Sequence, residues 1–296
     1  MSSEHPNATD AVTSSCTSPA VPSLLLAAGQ FAVRESWSAN LGQARALVDR
    51  AEAAGADLLV LPEGVLARFP KHEQHRAVAA AQPLDGAFVG GLRAATAGKH
   101  VVVVAGVYEE SGRGLPYNTL VVVRAGQVIA RYRKLHLYDA FDGGESARML
   151  AADEIPPVLR LGGFGISMLT CYDVRFPELS RLLALRGADI LAVPAAWADG
   201  PGKADQWELA VRARALDNTV SVVASGECGP TCVGRSMIVD PLGSVLASTG
   251  HDPGLILARI SHRQIDHARA SLPVLRHWRF DVLATPRPSD AGPRHV

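Results

Sequence analysis

In residues 163–194, GFGISMLTCYDVRFPELSRLLALRGADILAVP, an apolar run stops at Cys171, charges and Pro177 follow, and a helical pattern leads into a second apolar run. Proline suits the first turn of a helix, where its missing N–H and fixed φ cost nothing, so PELSRLLALRG reads as a helix with Pro177 at its start. The flanking runs GFGISMLTC and ADILAVP are short and apolar at nearly every position, the pattern of strands buried on both faces. Strand, helix and strand in this order predict a β-α-β unit.

The same order occurs earlier in the chain. LLLAAGQFAV reads as a buried strand, and ANLGQARALVDRAEAAG as a helix with Leu41, Ala44, Leu47, Val48 and Ala51 on one face and Gly55 at its end. ADLLVLPE is the next strand, and a weaker helical pattern covers roughly 84–98. HVVVVAGVYEE, YNTLVVVR and QVIARYRK follow as strands, the last two joined as a hairpin at Ala125-Gly126. After residue 194 come the helix ADQWELAVRARALDN and the strands TVSVVASGE, RSMIVDPLG and SVLAST, with Pro-Leu-Gly as a hairpin turn, and GLILARI extends this second run. The chain thus reads as two pseudo-repeated β-α-β-α-β-β halves. Two sheets packed face to face with helices outside, a four-layer α-β-β-α sandwich, bury such strands best. A single doubly wound sheet is the runner-up, and the late hairpins count against it, because parallel neighbours need crossovers.

Composition narrows the function classes. With 29 basic and 29 acidic residues in 296, no overall field favours nucleic acid or an anionic membrane face, and the expected partner is a small molecule. Cys16, Cys171, Cys228 and Cys232 are too few for a disulfide framework, which predicts a reducing, cytoplasmic setting. Residues 1–21 are polar and Ser/Thr-rich and read as a disordered tail, and 22–296 as one domain. The apolar run SLLLAAGQFAV is too short to span a bilayer.

In α/β folds, reactive side chains gather just beyond the carboxyl ends of strands. Glu63 ends DLLVLPE, Lys134 ends VIARYRK and Cys171 ends GISMLTC. Taken singly, such a cysteine is usually an inert core residue, and a terminal Glu or Lys is usually solvated. Together they describe a chemistry: a thiol, a carboxylate to take its proton, and an ammonium to stabilise an oxyanion.

The segments LLVLPEGVL, YRKLHLYD and TCYDVRFPEL resemble, in order and spacing, the three signature segments of the nitrilase superfamily of carbon-nitrogen hydrolases. The likeness runs from about residue 23 to LPVLRHWRFDVL and includes QWELAVRARALDN and GRSMIVDPLG. It implies the α-β-β-α sandwich and a triad of Glu63, Lys134 and Cys171, and FDGGESARML places Glu145 where the family has a second glutamate. It further implies a thioester on Cys171, an oxyanion held by Lys134 and the backbone N–H of Tyr172, and neither metal nor organic cofactor. CYDVRFPE resembles the amidase branch that includes omega-amidases and deaminated glutathione amidases, so a small carboxylate-bearing amide is the expected substrate. Hydrolysis of N-carbamoyl amino acids is the nearest alternative chemistry, and a non-catalytic binding or scaffold member is an alternative of another class.

Neighbouring residues carry expectations of their own. Tyr172 and Trp197 are expected to meet substrate, Trp197 at the pocket mouth, while Trp207 is read as core and Arg175–Glu178 as an ion pair bracing the turn behind Cys171. The cysteines of CGPTC are read as loop residues rather than a metal or redox site. Segments 66–82, 139–153 and 196–205 are expected to shape the pocket. A homodimer is expected through the helix carrying Leu179, Leu182, Leu183 and Leu185.

Overall fold

A computed structural model describes residues 21–281. Cys16, the expected tail apart from its last residue, and the chain after 281 lie outside the described residues. The strands are β1 (Ser23–Gln30), β2 (Leu58–Val60), β3 (Val102–Glu109), β4 (Tyr117–Arg124), β5 (Gln127–Arg133), β6 (Leu159–Leu161), β7 (Phe164–Met168), β8 (Ile190–Ala195), β9 (Ser221–Gly226), β10 (Met237–Val239), β11 (Val245–Ser248) and β12 (Gly254–Ser261). The helices are α1 (Trp37–Ala53), α2 (Arg76–Ala80), α3 (Ala87–Thr96), α4 (Pro177–Leu185), α5 (Lys203–Asn218), α6 (His262–Ser271) and α7 (Val274–His277).

The strands form two six-stranded sheets, ordered β12-β1-β2-β3-β4-β5 and β11-β10-β9-β8-β7-β6. Each has a parallel centre, β1-β2-β3 and β7-β8-β9, extended by antiparallel neighbours. A single doubly wound sheet is thereby excluded.

Side-chain alternation builds the layers. In β2, Leu58 faces the opposite sheet and Leu59 the helices; in β8, Ile190 and Ala192 face the sheet while Leu191 and Val193 face the helices. Leu26, Leu58, Phe164 and Ile190, all fully buried, fill the space between the sheets, and each contributes roughly 1.5–3 kcal/mol of burial. Ala44, Leu47 and Val48 of α1 and Phe88 and Leu92 of α3 cover the first sheet, and Leu179 and Leu183 of α4 with Trp207 and Val211 of α5 cover the second. Trp207 is core, as its place in a helix predicts.

Three local readings differ from the structure. The segment GLILARI does not extend the second run: β12 crosses back and pairs antiparallel with β1, Ser23 to Ser261 through Gln30 to Gly254, closing the first sheet's edge. Local pattern cannot assign it, because a half-buried strand pairs as well with either edge. An unforeseen short strand, β6, pairs with β7. In α4, Leu179 and Leu183 are spent on the core and Leu182 is half-buried, so only Leu185, at 36%, is exposed.

Candidate active site

Glu63, Lys134 and Cys171 meet beyond the carboxyl ends of β2, β5 and β7, with Glu145 from the 139–153 segment. Lys134 Nζ donates to Glu63 Oε1 at 2.9 Å and to Glu145 Oε2 at 2.8 Å. Asn118, buried in β4, donates its two amide hydrogens to Glu63 Oε1 at 2.8 Å and Glu145 Oε1 at 2.9 Å. The backbone N–H of Ala196, just past β8, donates to Glu63 Oε2 at 2.8 Å, and that of Tyr138 to Glu145 Oε2 at 2.7 Å. Glu63 is thus bound from both sheets.

Close backbone packing makes this possible. A side chain at Gly106 of β3 would place its first carbon 2.8 Å from Glu63 Cα and 2.7 Å from the Gly64 nitrogen, so only glycine lets the two strands approach. Cys171 opens a 3-10 turn, Cys171–Arg175, at φ +46, a left-handed conformation that costs a residue bearing Cβ about 1 kcal/mol or more. The sharp turn brings the thiol to the strand end, within the field of the Glu63 carboxylate and the Lys134 ammonium.

Asp173 anchors that turn. Fully buried, it accepts from Thr170 N at 2.9 Å, Tyr132 Oη at 2.7 Å, His136 N at 3.1 Å and His136 Nδ1 at 2.7 Å. Tyr132 and His136 flank Lys134 in sequence, so one carboxylate fixes the distance between the lysine's segment and the cysteine's turn.

The electrostatics place the proton. Burial pushes Glu63 up, but the charges of Lys134 and Arg68 outweigh it and hold the carboxyl at about 2. Burial works against the ammonium of Lys134, yet Glu145 and Glu63 raise it well above the ordinary lysine value. Burial and the negative charge of Glu63 push the Cys171 thiol well above the ordinary cysteine value, against the pull of Lys134. The resting pocket therefore holds a neutral thiol beside an ionised carboxylate.

These groups line a cavity of about 560 Å³. Its walls include Ala67, Phe69 and Ala77, then Phe141, Arg148 and Met149, then Trp197, Ala198 and Gly200, drawn from all three segments expected to shape it, with Tyr172 beside the thiol. Trp197 is 5% exposed and forms wall rather than open rim. A fourth contribution, Pro230–Cys232, went unforeseen.

Two further expectations are corrected or extended. Arg175 does not pair with Glu178: its Nη2 donates to Gln206 Oε1 at 2.6 Å and its guanidinium lies 4.7 Å over the Trp197 ring. Glu178 stays in solvent in the first turn of α4, where the helix dipole already favours a carboxylate. Cys228 and Cys232 do lie in the β9–β10 loop, but both are buried, and burial followed by the charge of Glu227 pushes their thiols up to about 11 and about 12. Glu227 also holds Arg68, Nε to Oε2 at 2.7 Å, and Arg68 Nη2 reaches the Glu63 carbonyl at 3.3 Å. Sequence reading missed Asn118, Asp173, Arg68 and Glu227. The only available signal was a polar residue inside an apolar strand, as in YNTLVVV, or a charged one beside a reactive residue.

The family described as carbon-nitrogen hydrolase matches residues 25–270. A deaminated glutathione amidase of Escherichia coli O157:H7 is 43% identical over 257 residues, covering 87% of this chain and 98% of that protein. The NitFhit protein of C. elegans superposes with a TM-score of 0.80 at 28% identity, over 92% of this chain and 70% of that one. An amidase of Nesterenkonia sp. AN1, a glutamate-to-glutamine mutant carrying acrylamide at its active site cysteine through Michael addition, superposes with a TM-score of 0.71 at 28% identity, over 84% of this chain and 98% of that one.

Proposed function

The chain belongs to the carbon-nitrogen hydrolase family, and on that premise we propose that it splits a carboxylate-bearing amide into carboxylate and ammonia through a thioester on Cys171. The observation that carries this reading is the Lys134 ammonium shared between Glu63 and Glu145, with the Cys171 thiol lining the same cavity. As Cys171 sulfur bonds to the carbonyl carbon, its proton passes to Glu63, and the oxygen becomes an oxyanion held by Lys134 and the Tyr172 N–H. The carbon–nitrogen bond then breaks and Glu63 returns the proton to departing ammonia. Glu63 next takes a proton from water, the hydroxyl bonds to the acyl carbon, and the carbon–sulfur bond breaks to free the acid and restore the thiol. Glu145 and Asn118 hold Lys134 and Glu63 in place throughout.

The relatives' name, deaminated glutathione amidase, supports an amide rather than an N-carbamoyl amino acid as substrate. A full set of catalytic groups speaks against a purely scaffolding role. The same proposal includes a single domain over 22–296, residence in the cytoplasm and a homodimer. Support for the second is that Cys171, Cys228 and Cys232 are free thiols and that no helix among the described residues is long and apolar enough to cross a membrane. Support for the third is the exposed Leu185 of α4 with Leu209 and Leu216 of its packing partner α5; sedimentation showing only monomer at micromolar concentration would count against it. Ammonia release over a panel of short amides, carbamoyl amino acids and nitriles tests the reaction, and activity confined to the last two classes would overturn it.

A further inference from the structure

Four cations line the cavity, and their partners differ. Lys134 is held by Glu63 and Glu145, and Arg68 by Glu227. Lys203 and Arg148 have no carboxylate partner among the described side chains. Arg148 Nη2 donates to the Gly143 carbonyl at 2.9 Å.

Among the described side chains, those that hold Lys203 are uncharged. Its Nζ donates to Tyr138 Oη at 3.2 Å and lies 3.7 Å from the centre of the Phe141 ring and 5.7 Å from that of Tyr138. Trp197 Nε1 donates to the Lys203 carbonyl at 3.0 Å, fixing the backbone below it. Phe141, at φ +51, is 72% exposed, so this ammonium marks the open end of the cavity. An ammonium carries three hydrogens, and among the described side chains one is engaged by a hydrogen-bond acceptor. Tyr138 in turn meets the Tyr172 ring edge-on at 5.1 Å, and Tyr172 follows Cys171. A wall of two aromatic rings thus runs from Cys171 to the Lys203 ammonium.

Resting on the amidase reading above, we propose that Lys203 determines specificity by receiving a carboxylate at the end of the substrate farthest from the scissile amide. The matching class is an extended amide whose acyl chain lies along Tyr172 and Tyr138 before ending in the carboxylate. A short amide that stops at Tyr172 gains nothing from Lys203. The cation is preformed, so binding the anion breaks no ion pair among the described side chains.

The test uses straight-chain dicarboxylic acid monoamides of increasing length and the ω-hydroxy amides of equal length. In the wild type, KM for the acids should fall once the chain reaches the mouth, with no such step for the alcohols. Lys203→Met should raise KM for the long acids about tenfold, as loss of a charged hydrogen bond does, with kcat and the ω-hydroxy amides unchanged, and Lys203→Arg should recover part of the loss. Equal changes for acids and alcohols, or no change for either, overturn the proposal. Calorimetry of long dicarboxylates on Cys171→Ala protein, with and without Lys203→Met, should show the same tenfold weakening. If that binding step is present but the wild type releases ammonia from no amide, the amidase reading fails and the anion site stands; ammonia release indifferent to Lys203 has the opposite meaning.

Discussion

The two ends of the cavity handle charge in opposite ways. At the bottom, Glu63, Lys134, Glu145 and Asn118 are buried or nearly so and bound to one another by four side-chain hydrogen bonds of 2.8–2.9 Å. At the mouth, Lys203 is half-buried and rests on aromatic rings. Buried charges must be paired to exist at all, and once paired they are rigid, which suits a step that stabilises charge as it forms. A charge left unneutralised near water costs little and remains available to an incoming anion. On the proposed reading, the bottom serves the reaction and the mouth selection.

Removing the Cys171 thiol should have the largest effect. Cys171→Ala is expected to abolish ammonia release with the fold unchanged by circular dichroism, since it removes one atom; turnover in the purified variant would end the thioester mechanism.

Lys134→Met comes next, with turnover reduced on the order of a hundredfold or more. Because the lysine is buried between two carboxylates, the variant should also lose about 3–5 kcal/mol of stability in urea at neutral pH. Near-normal turnover in the folded variant would remove the oxyanion role. A comparable drop in kcat from Lys203→Met would erase the distinction between bottom and mouth.

The pH dependence of stability sharpens the same contrast. The Glu63 carboxyl sits at about 2 in the fold against an ordinary 4.5, so the unfolded chain binds its proton more readily than the folded one. The resulting stabilisation is complete above about pH 4.5 and is lost as pH falls towards 2. Urea midpoints measured from about pH 6 down to 2 should fall steeply in the wild type and less steeply in Glu63→Gln. Glu109, held low by hydrogen bonds from Arg133 and Thr119 against its burial, will keep some slope in both. Identical slopes would mean that Glu63 is not held low.

The smallest expected effect is that of Tyr132→Phe, which removes one donor from buried Asp173. A loss of about 1.5–3 kcal/mol in urea is expected, with a few-fold drop in kcat as the turn at Cys171 loosens against Lys134. Unchanged kcat at reduced stability would make Asp173 a support of the fold alone.

Much of this site is legible in the sequence because Glu63, Lys134 and Cys171 each end an apolar strand, and strand ends in such folds converge. The roles of Asn118 and Asp173 are not legible, because each acts through partners far along the chain: Asn118 reaches Glu63 across 55 residues, and Asp173 reaches Tyr132 across 41. The Arg175–Glu178 expectation failed for a related reason. Neighbours in sequence were assumed to pair, whereas Gln206 and Trp197, brought close by folding, offered the guanidinium a better setting.

The sequence by itself determined the layers. Strands apolar on both faces must be covered on both faces, and two such runs with intervening amphipathic helices leave the α-β-β-α sandwich as the arrangement that buries them. Only the tertiary structure decided that β12 closes the first sheet, that Glu63 takes its hydrogen bonds from both sheets, and that Lys203 rests on the rings of Tyr138 and Phe141 at the mouth. Burial is a demand each segment makes locally through its own side chains. The partner of a polar atom is whichever group the packing of distant segments brings within about 3 Å, and no local pattern contains that distance.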